Sequence, residues 1–272
     1  MEMAIYGTAV VALAMAFVAG GCDGGSKDEG HPESQAREVG SGQQAVVNPP
    51  VGDSPPASAS ILEQKKLYSQ QKEELIIRDF FQDRRGGFFL DVGCAWPKRN
   101  STTYYLEKHL GWTGIGVDAL RDYAADWASA RPRSKFFAFL VGDHVDDKAT
   151  FYKAAWTGVS STQKDRMLRG KKIETEEIEV PMVTLDRLLA ENKVDRIDFL
   201  SMDIEGAEPQ ALAGFDIQRF KPELVCIEAT PSARAEIVAY MTKHGYERIE
   251  KYLEHDKVNW YFTPKAKAPK AP

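Results

Sequence analysis

Cysteine is scarce: 272 residues contain three, Cys22, Cys94 and Cys226. So few thiols cannot make a disulfide framework, and no Cys/His group has zinc-site spacing. Cys94 and Cys226 lie in or beside apolar strand-like runs, where a thiol serves as a small buried hydrophobe. An excess of one charge is also missing. Forty acidic residues against 35 basic ones leave a net charge of −5, which argues against a protein built mainly to bind nucleic acid. No internal repeat is present, which excludes a solenoid.

What is there begins with an apolar segment. Met1 to Gly21 is small and hydrophobic apart from Glu2 and a few neutral polar residues, and it meets Gly20-Gly21-Cys22. This resembles a bacterial lipoprotein signal with Cys22 as the lipidated residue. It departs from that pattern in having no Lys or Arg near its start and Ala19 three positions before the cysteine. Its apolar stretch is shorter than the roughly 20 residues of a comfortable span. An uncleaved anchor, and a misassigned start or unstructured leader, are the alternatives. Residues 1–22 are thus expected to be a signal peptide or membrane anchor. Residues 23–60, rich in Gly, Ser, Pro and Gln, cannot bury enough apolar surface to offset ordering and are expected to form a disordered tether. Residues 265–272 make a flexible basic tail.

Between these ends, helical and extended patterns alternate. Ile61 to about Asp83 repeats apolar residues at i,i+4 (Ile76/Phe80, Ile77/Phe81), which predicts a helix ended by Gly86-Gly87. Strands are expected at Phe88–Val92, Gly114–Asp118, Ser134–Val141, Glu177–Val183, Ile197–Met202, Glu223–Glu228, Arg248–Tyr252 and Val258–Phe262. Helices are expected at Thr103–Leu110, Arg121–Ala130, Thr184–Glu191 (capped by Thr184), Ala207–Ala213 and Ser232–His244. This alternation predicts a single α/β domain over 61–264. Its fold is a Rossmann-like, doubly wound, mostly parallel seven-stranded sheet with an antiparallel C-terminal edge and helices on both faces.

Ligands of such sheets bind beyond the carboxyl ends of the strands, and four of those ends are acidic: Asp91, Asp118, Asp143 and Asp203. After the first strand, Gly93 permits close backbone approach. Asp118, ending the second, can accept both hydroxyls of a ribose. The first loop, Gly93-Cys94-Ala95-Trp96-Pro97-Lys98-Arg99-Asn100-Ser101-Thr102-Thr103, lacks the later glycines of a Gly-x-Gly-x-x-Gly turn. A pyrophosphate cradle, and with it NAD or FAD, is disfavoured. S-adenosylmethionine carries no phosphate, and Asp118, Asp143 and the Asp91–Gly93 turn can hold its parts.

Tyr68–Phe81, Gly87–Gly93, Pro97–Tyr105 and Gly111–Asp118, and above all Val183–Leu189 with Ile197-Asp-Phe-Leu-Ser-Met-Asp-Ile-Glu-Gly-Ala-Glu208, resemble the FkbM family of S-adenosylmethionine-dependent methyltransferases. The resemblance spans roughly Tyr68 to Phe262. One branch shares the Pro-x-Arg-x-Ser loop, from which this chain departs at Trp96 (often His there), Thr102 (Asn) and Cys94 (Ala). It implies O-methylation of a sugar or other small-molecule hydroxyl, with a small-molecule or glycan acceptor; no metal is expected. Candidate cofactor-binding residues are Asp91, Gly93, Cys94, Ser101, Asp118, Gly142, Asp143 and Asp203. Asp203 and Glu205 are the candidates to orient or deprotonate the acceptor, with His144 in reserve. Ser69 and Gln70 are placed to reach over the cofactor. Glu208 is assigned to the first turn of a helix, and Tyr104, Tyr105 and Trp112 to the core. The alternative is a catalytically degenerate module of the same fold, tethered to a membrane. Because S-adenosylmethionine is made in the cytosol, an active enzyme with an uncleaved anchor would sit on the cytoplasmic face.

Overall fold

A computed structural model describes residues 60–154, 162 and 174–266. The expected leader, Cys22, the tether save Ser60, and the tail beyond Ala266 lie outside the described residues. No helix among the described residues is long and apolar enough to cross a membrane.

The central sheet is built from β1 (Phe88–Val92), β2 (Thr113–Asp118), β3 (Ser134–Ala138), β7 (Phe199–Met202), β8 (Leu224–Glu228), β9 (Tyr246–Arg248) and β10 (Asn259–Pro264). Their order is β3-β2-β1-β7-β8-β10-β9. The first five run parallel, and β10 is antiparallel to both β8 and β9. The expected fold class is thus the one observed. The inner strands are apolar on both faces because helices cover both. Phe89, Phe199, Leu224, Cys226 and Tyr261 point one way, onto α1 (Glu73–Phe81) and α2 (Tyr104–Leu110). Leu90, Val92, Leu200, Met202, Val225 and Ile227 point the other way. They meet α4 (Leu185–Glu191), α5 (Glu208–Ala213), α6 (Ile217–Phe220) and α7 (Arg234–Lys243). Helix α3 (Ala124–Ala130) packs beside β3 through the buried Trp127.

Four expectations need correction. The first helix does not run from Ile61. A short 3-10 turn at Ile61–Glu63 is followed by irregular chain, and α1 starts at Glu73. The polar run before it competes for backbone hydrogen bonds. The Ser69 hydroxyl accepts from Glu74 N–H (3.2 Å), and the Glu74 carboxylate accepts from Leu67 and Tyr68 N–H (3.1 and 2.9 Å). That helix ends at left-handed Gln82, not at the glycines. The expected strand Ser134–Val141 divides at Phe139, whose N–H donates to Asp118 C=O (3.0 Å). Its second part, β4 (Leu140–Val141), joins a separate three-stranded sheet with β6 (Thr175–Val183) and β5 (Asp146–Ala154). Strand β5 is invisible to pattern because its first half is charged and exposed. Finally, Arg248–Tyr252 is no strand past Arg248. A 3-10 turn over Glu250–Glu254 sends Tyr252 inward, where its hydroxyl donates to Asp79 (2.8 Å).

Candidate active site

The parallel register lines up the four central strand ends. Val92 pairs with Val117 and Met202, and Met202 with Ile227. The next residues therefore form a row across the sheet, Asp118–Gly93–Asp203–Glu228: three carboxylates and one position without a side chain. Gly93 N–H donates to Val117 C=O (2.8 Å) and Asp203 N–H to Val92 C=O (2.9 Å), which carries the pairing past the strands. Gly93 has φ +82°, and a Cβ there would lie 1.8 Å from the Asp203 carbonyl oxygen. Above the row opens a cleft. Gly93, Cys94, Asp118, Tyr123, Asp203 and Glu205 are among its lining.

Asp118 is held rigidly. Its Oδ2 accepts from Ala95 N–H (3.0 Å) and its Oδ1 from Leu120 N–H (2.9 Å). Burial raises its carboxyl to about 6 despite those two bonds. A carboxylate oxygen can take more than one donor, so both keep capacity toward the cleft that Asp118 lines.

Asp203 is open to water in the cleft and otherwise surrounded by protein. That desolvation, and then the charges of Glu228, Glu205 and Glu208, hold its carboxyl well above the usual carboxylate range. A tight turn presents it. Glu205 (φ +54°) and Gly206 (φ +96°) are left-handed, and the buried Glu208 accepts from Ile204 and Gly206 N–H through Oε1 (3.0 and 3.1 Å). Glu208 thus pins the turn as well as opening α5. Asp203, Glu208 and Glu228 bring carboxylate oxygens within 4.8 Å of one another, a spacing that a cation or a shared proton could relieve. A search by Cys/His spacing passes over such a group.

The first loop is anchored from below. Arg131 is wholly buried and donates to Glu107 (2.6 Å), Pro97 C=O (3.0 Å), the Ser101 hydroxyl (3.3 Å) and the Thr103 hydroxyl (3.0 Å). Thr103 in turn donates to Asp91 (2.6 Å). Trp127 Nε1–H donates to Ala95 C=O (2.8 Å), and Arg99 stacks on Trp96 at 4.2 Å. Cys94 lines the cleft, its buried thiol pushed well above the ordinary range.

Of the expected site residues, the structure brings together Gly93, Cys94, Asp118, Asp203 and Glu205 around the cleft. Asp91 and Ser101 lie below it in the Arg131 network, because Asp91 shares the strand face that Phe89 turns toward α2. Gly142 sits under Met182 and against Gly214, next to the lining residue Val141 but not itself in the lining. Asp143 is a surface residue bonded to His144 (2.6 Å) and Gln210 (3.3 Å). His144 points to solvent, 59% exposed. Gln70 lines the cleft, while Ser69 bridges to Asn100. Tyr104 and Trp112 are core, and Tyr105 is half-buried. Two residues escape sequence reading. Glu228 ends its strand in an acid, as the other four do, and the same rule would have found it. Arg131, in Ala-Arg-Pro-Arg-Ser, looks like an ordinary solvated arginine.

A family model described as the methyltransferase FkbM domain matches residues 91–248. No curated protein matches. Similar solved structures include a TehB-like S-adenosylmethionine-dependent methyltransferase from Corynebacterium glutamicum. It is 16% identical over 72% of this chain and 89% of that one, with TM-score 0.40. Another, from Pyrococcus horikoshii, is described as an RNA methyltransferase. It is 14% identical over 77% of this chain and 90% of that one, with TM-score 0.36.

Proposed function

This chain belongs to the FkbM methyltransferase family and is an S-adenosylmethionine-dependent methyltransferase, and from that premise we propose that it methylates a hydroxyl of a sugar or other small molecule. The row Asp118–Gly93–Asp203 carries this reading. The residues present fit the cofactor. Gly93 leaves a backbone cradle where a side chain would collide with Asp203. Asp118 offers a fixed carboxylate to the paired hydroxyls of a ribose, and Cys94 gives an apolar wall. Bound there, the cofactor supplies a methyl group on a positively charged sulfur.

Catalysis of such a displacement is largely positioning. Asp203 orients the acceptor hydroxyl and takes its proton. A carboxyl held above its usual range is a stronger base than an ordinary one. Glu205, on the strained turn beside it, orients the acceptor.

Calorimetry on the full chain in detergent tests the reading. S-adenosylmethionine should bind the parent protein and fail to bind Asp118→Ala. No heat with the parent protein would leave a degenerate module of the same fold. The apolar segment 1–22 supports a membrane-attached enzyme, on the cytoplasmic face if the segment is retained. Incorporation of a lipid analogue, lost in Cys22→Ala, tests the lipid attachment.

A further inference from the structure

The row of strand ends does not stop at Asp203. Glu228, one strand further, has its carboxylate within 4.8 Å of those of Asp203 and Glu208. It also lines a second depression, formed by the end of β8, the start of α7 and the approach to β10. The cofactor-side cleft and this depression therefore adjoin at the carboxylates of Asp203 and Glu228. Asp118, the proposed ribose position, lies at the far end of the row, so this depression is on the side of Asp203 opposite it.

The lining of this second depression has its own chemistry. Besides Glu228 it is lined by Thr230, Ser232, Arg234 and Lys257. Arg234 is fixed from behind. Its Nε–H donates to Ala229 C=O (2.9 Å), and its guanidinium stacks on Trp260 at 5.0 Å. Among the described residues, no side chain or carbonyl accepts from the outer amino groups of its fork. Lys257 is held through Leu253 C=O (2.5 Å). Neither cation is in ion-pair contact with a carboxylate among the described residues. Two cations with no ion-pair partner among the described residues, beside the Ser232 hydroxyl, match an anionic molecule, since guanidinium takes a carboxylate or phosphate in two parallel hydrogen bonds.

We infer that this second depression is the acceptor subsite, and that the acceptor is a hydroxylated ring bearing an acidic group, held by Arg234 and Lys257 with its reacting hydroxyl at Asp203. The inference rests on the methyltransferase reading above and goes beyond it in naming the substrate class. A carboxylate and a phosphate share this chemistry, so both are tested.

Saturation-transfer NMR on the full chain, saturated with S-adenosylmethionine, reads it directly with D-glucuronate, D-glucose 6-phosphate and D-glucose as probes. At least one of the two anions should bind saturably, and more tightly than glucose. Arg234→Gln or Lys257→Gln should weaken that anion about tenfold, the loss of one charge-assisted contact, and leave cofactor affinity unchanged. Cofactor binding in each variant is the folding control, and either variant that passes it suffices. Glucuronate against glucose 6-phosphate separates a carboxylate from a phosphate acceptor. The inference is overturned if neither anion binds, if glucose binds as well as they do, or if a folded variant binds the anion as the parent does. If the parent protein does not bind S-adenosylmethionine, it is the broader reading that has failed. If it binds the cofactor and no anion, only the subsite has.

Discussion

Gly93 and Asp203 stand so close that a single methyl group on the first would lie 1.8 Å from the carbonyl oxygen of the second. Two strands are drawn together there, with Asp203 N–H bonded to Val92 C=O. The glycine is required twice, for the contact and for its φ of +82°. Gly93→Ala must push β1 and β7 apart at the cleft floor. Left-handed strain and the collision together should cost on the order of 2–4 kcal/mol of stability. Cofactor binding should be lost as well. Thermal unfolding with and without S-adenosylmethionine checks both. A variant that melts with the parent and is still stabilised by the cofactor would refute the assignment.

Asp118 gives a pH signature. Its carboxyl is raised to about 6, and only the ionised form accepts hydrogen bonds from two hydroxyls at full strength. Cofactor affinity should therefore be level above about pH 7 and fall below pH 6, approaching tenfold per unit. Asp118→Asn should bind weakly and lack this dependence. Titrating both proteins across pH 5–8 isolates the contribution of this carboxylate from its neighbours.

Arg131 carries the first loop in place of the missing glycines. Glu107, its partner, is also buried, with only 4% of its side chain exposed. Arg131→Met would leave Glu107 as an uncompensated buried charge, a loss of about 3–5 kcal/mol. It would also release Pro97, Ser101 and Thr103 together. Denaturant unfolding should register the first effect, and faster amide exchange over residues 97–103 the second. Adding Glu107→Leu should recover part of the stability without restoring the loop's protection.

How far the fold can be read from the sequence follows from what each element buries. Strands β1, β2, β7 and β8 are continuous apolar runs because helices cover both faces, and their positions are legible to within about two residues. Strand β5 is not legible: Asp146, Asp147 and Lys148 are exposed, and the strand is made by pairing of Asp146 and Ala149–Ala154 with β6 across an irregularity at 147–148. In the site, the acids at strand ends stand out one at a time, but their rank in the row depends on strand order, which no local pattern contains. Asp91 and Asp118 look equivalent in sequence. The pleat turns Asp91 toward Thr103 under the loop, while Asp118 ends its strand at the cleft.

Asp203 permits a prediction in which stability and activity move in opposite directions. A carboxyl whose folded value is raised contributes stability below its unfolded value, near 3.8, and that contribution is lost as pH rises through the folded value. Replacing it with an amide that cannot ionise removes the loss. Asp203→Asn should therefore be more stable than the parent protein at pH 8, and the difference should shrink as pH falls toward 4. Once an acceptor is in hand, the variant's turnover should drop by about 10²–10⁴, the usual contribution of a positioned general base. Melting curves at pH 4, 6 and 8 test the first half without any acceptor. If the variant is less stable at pH 8, the carboxylates around Asp203 are not repelling one another, and its role as the proton acceptor loses its physical basis.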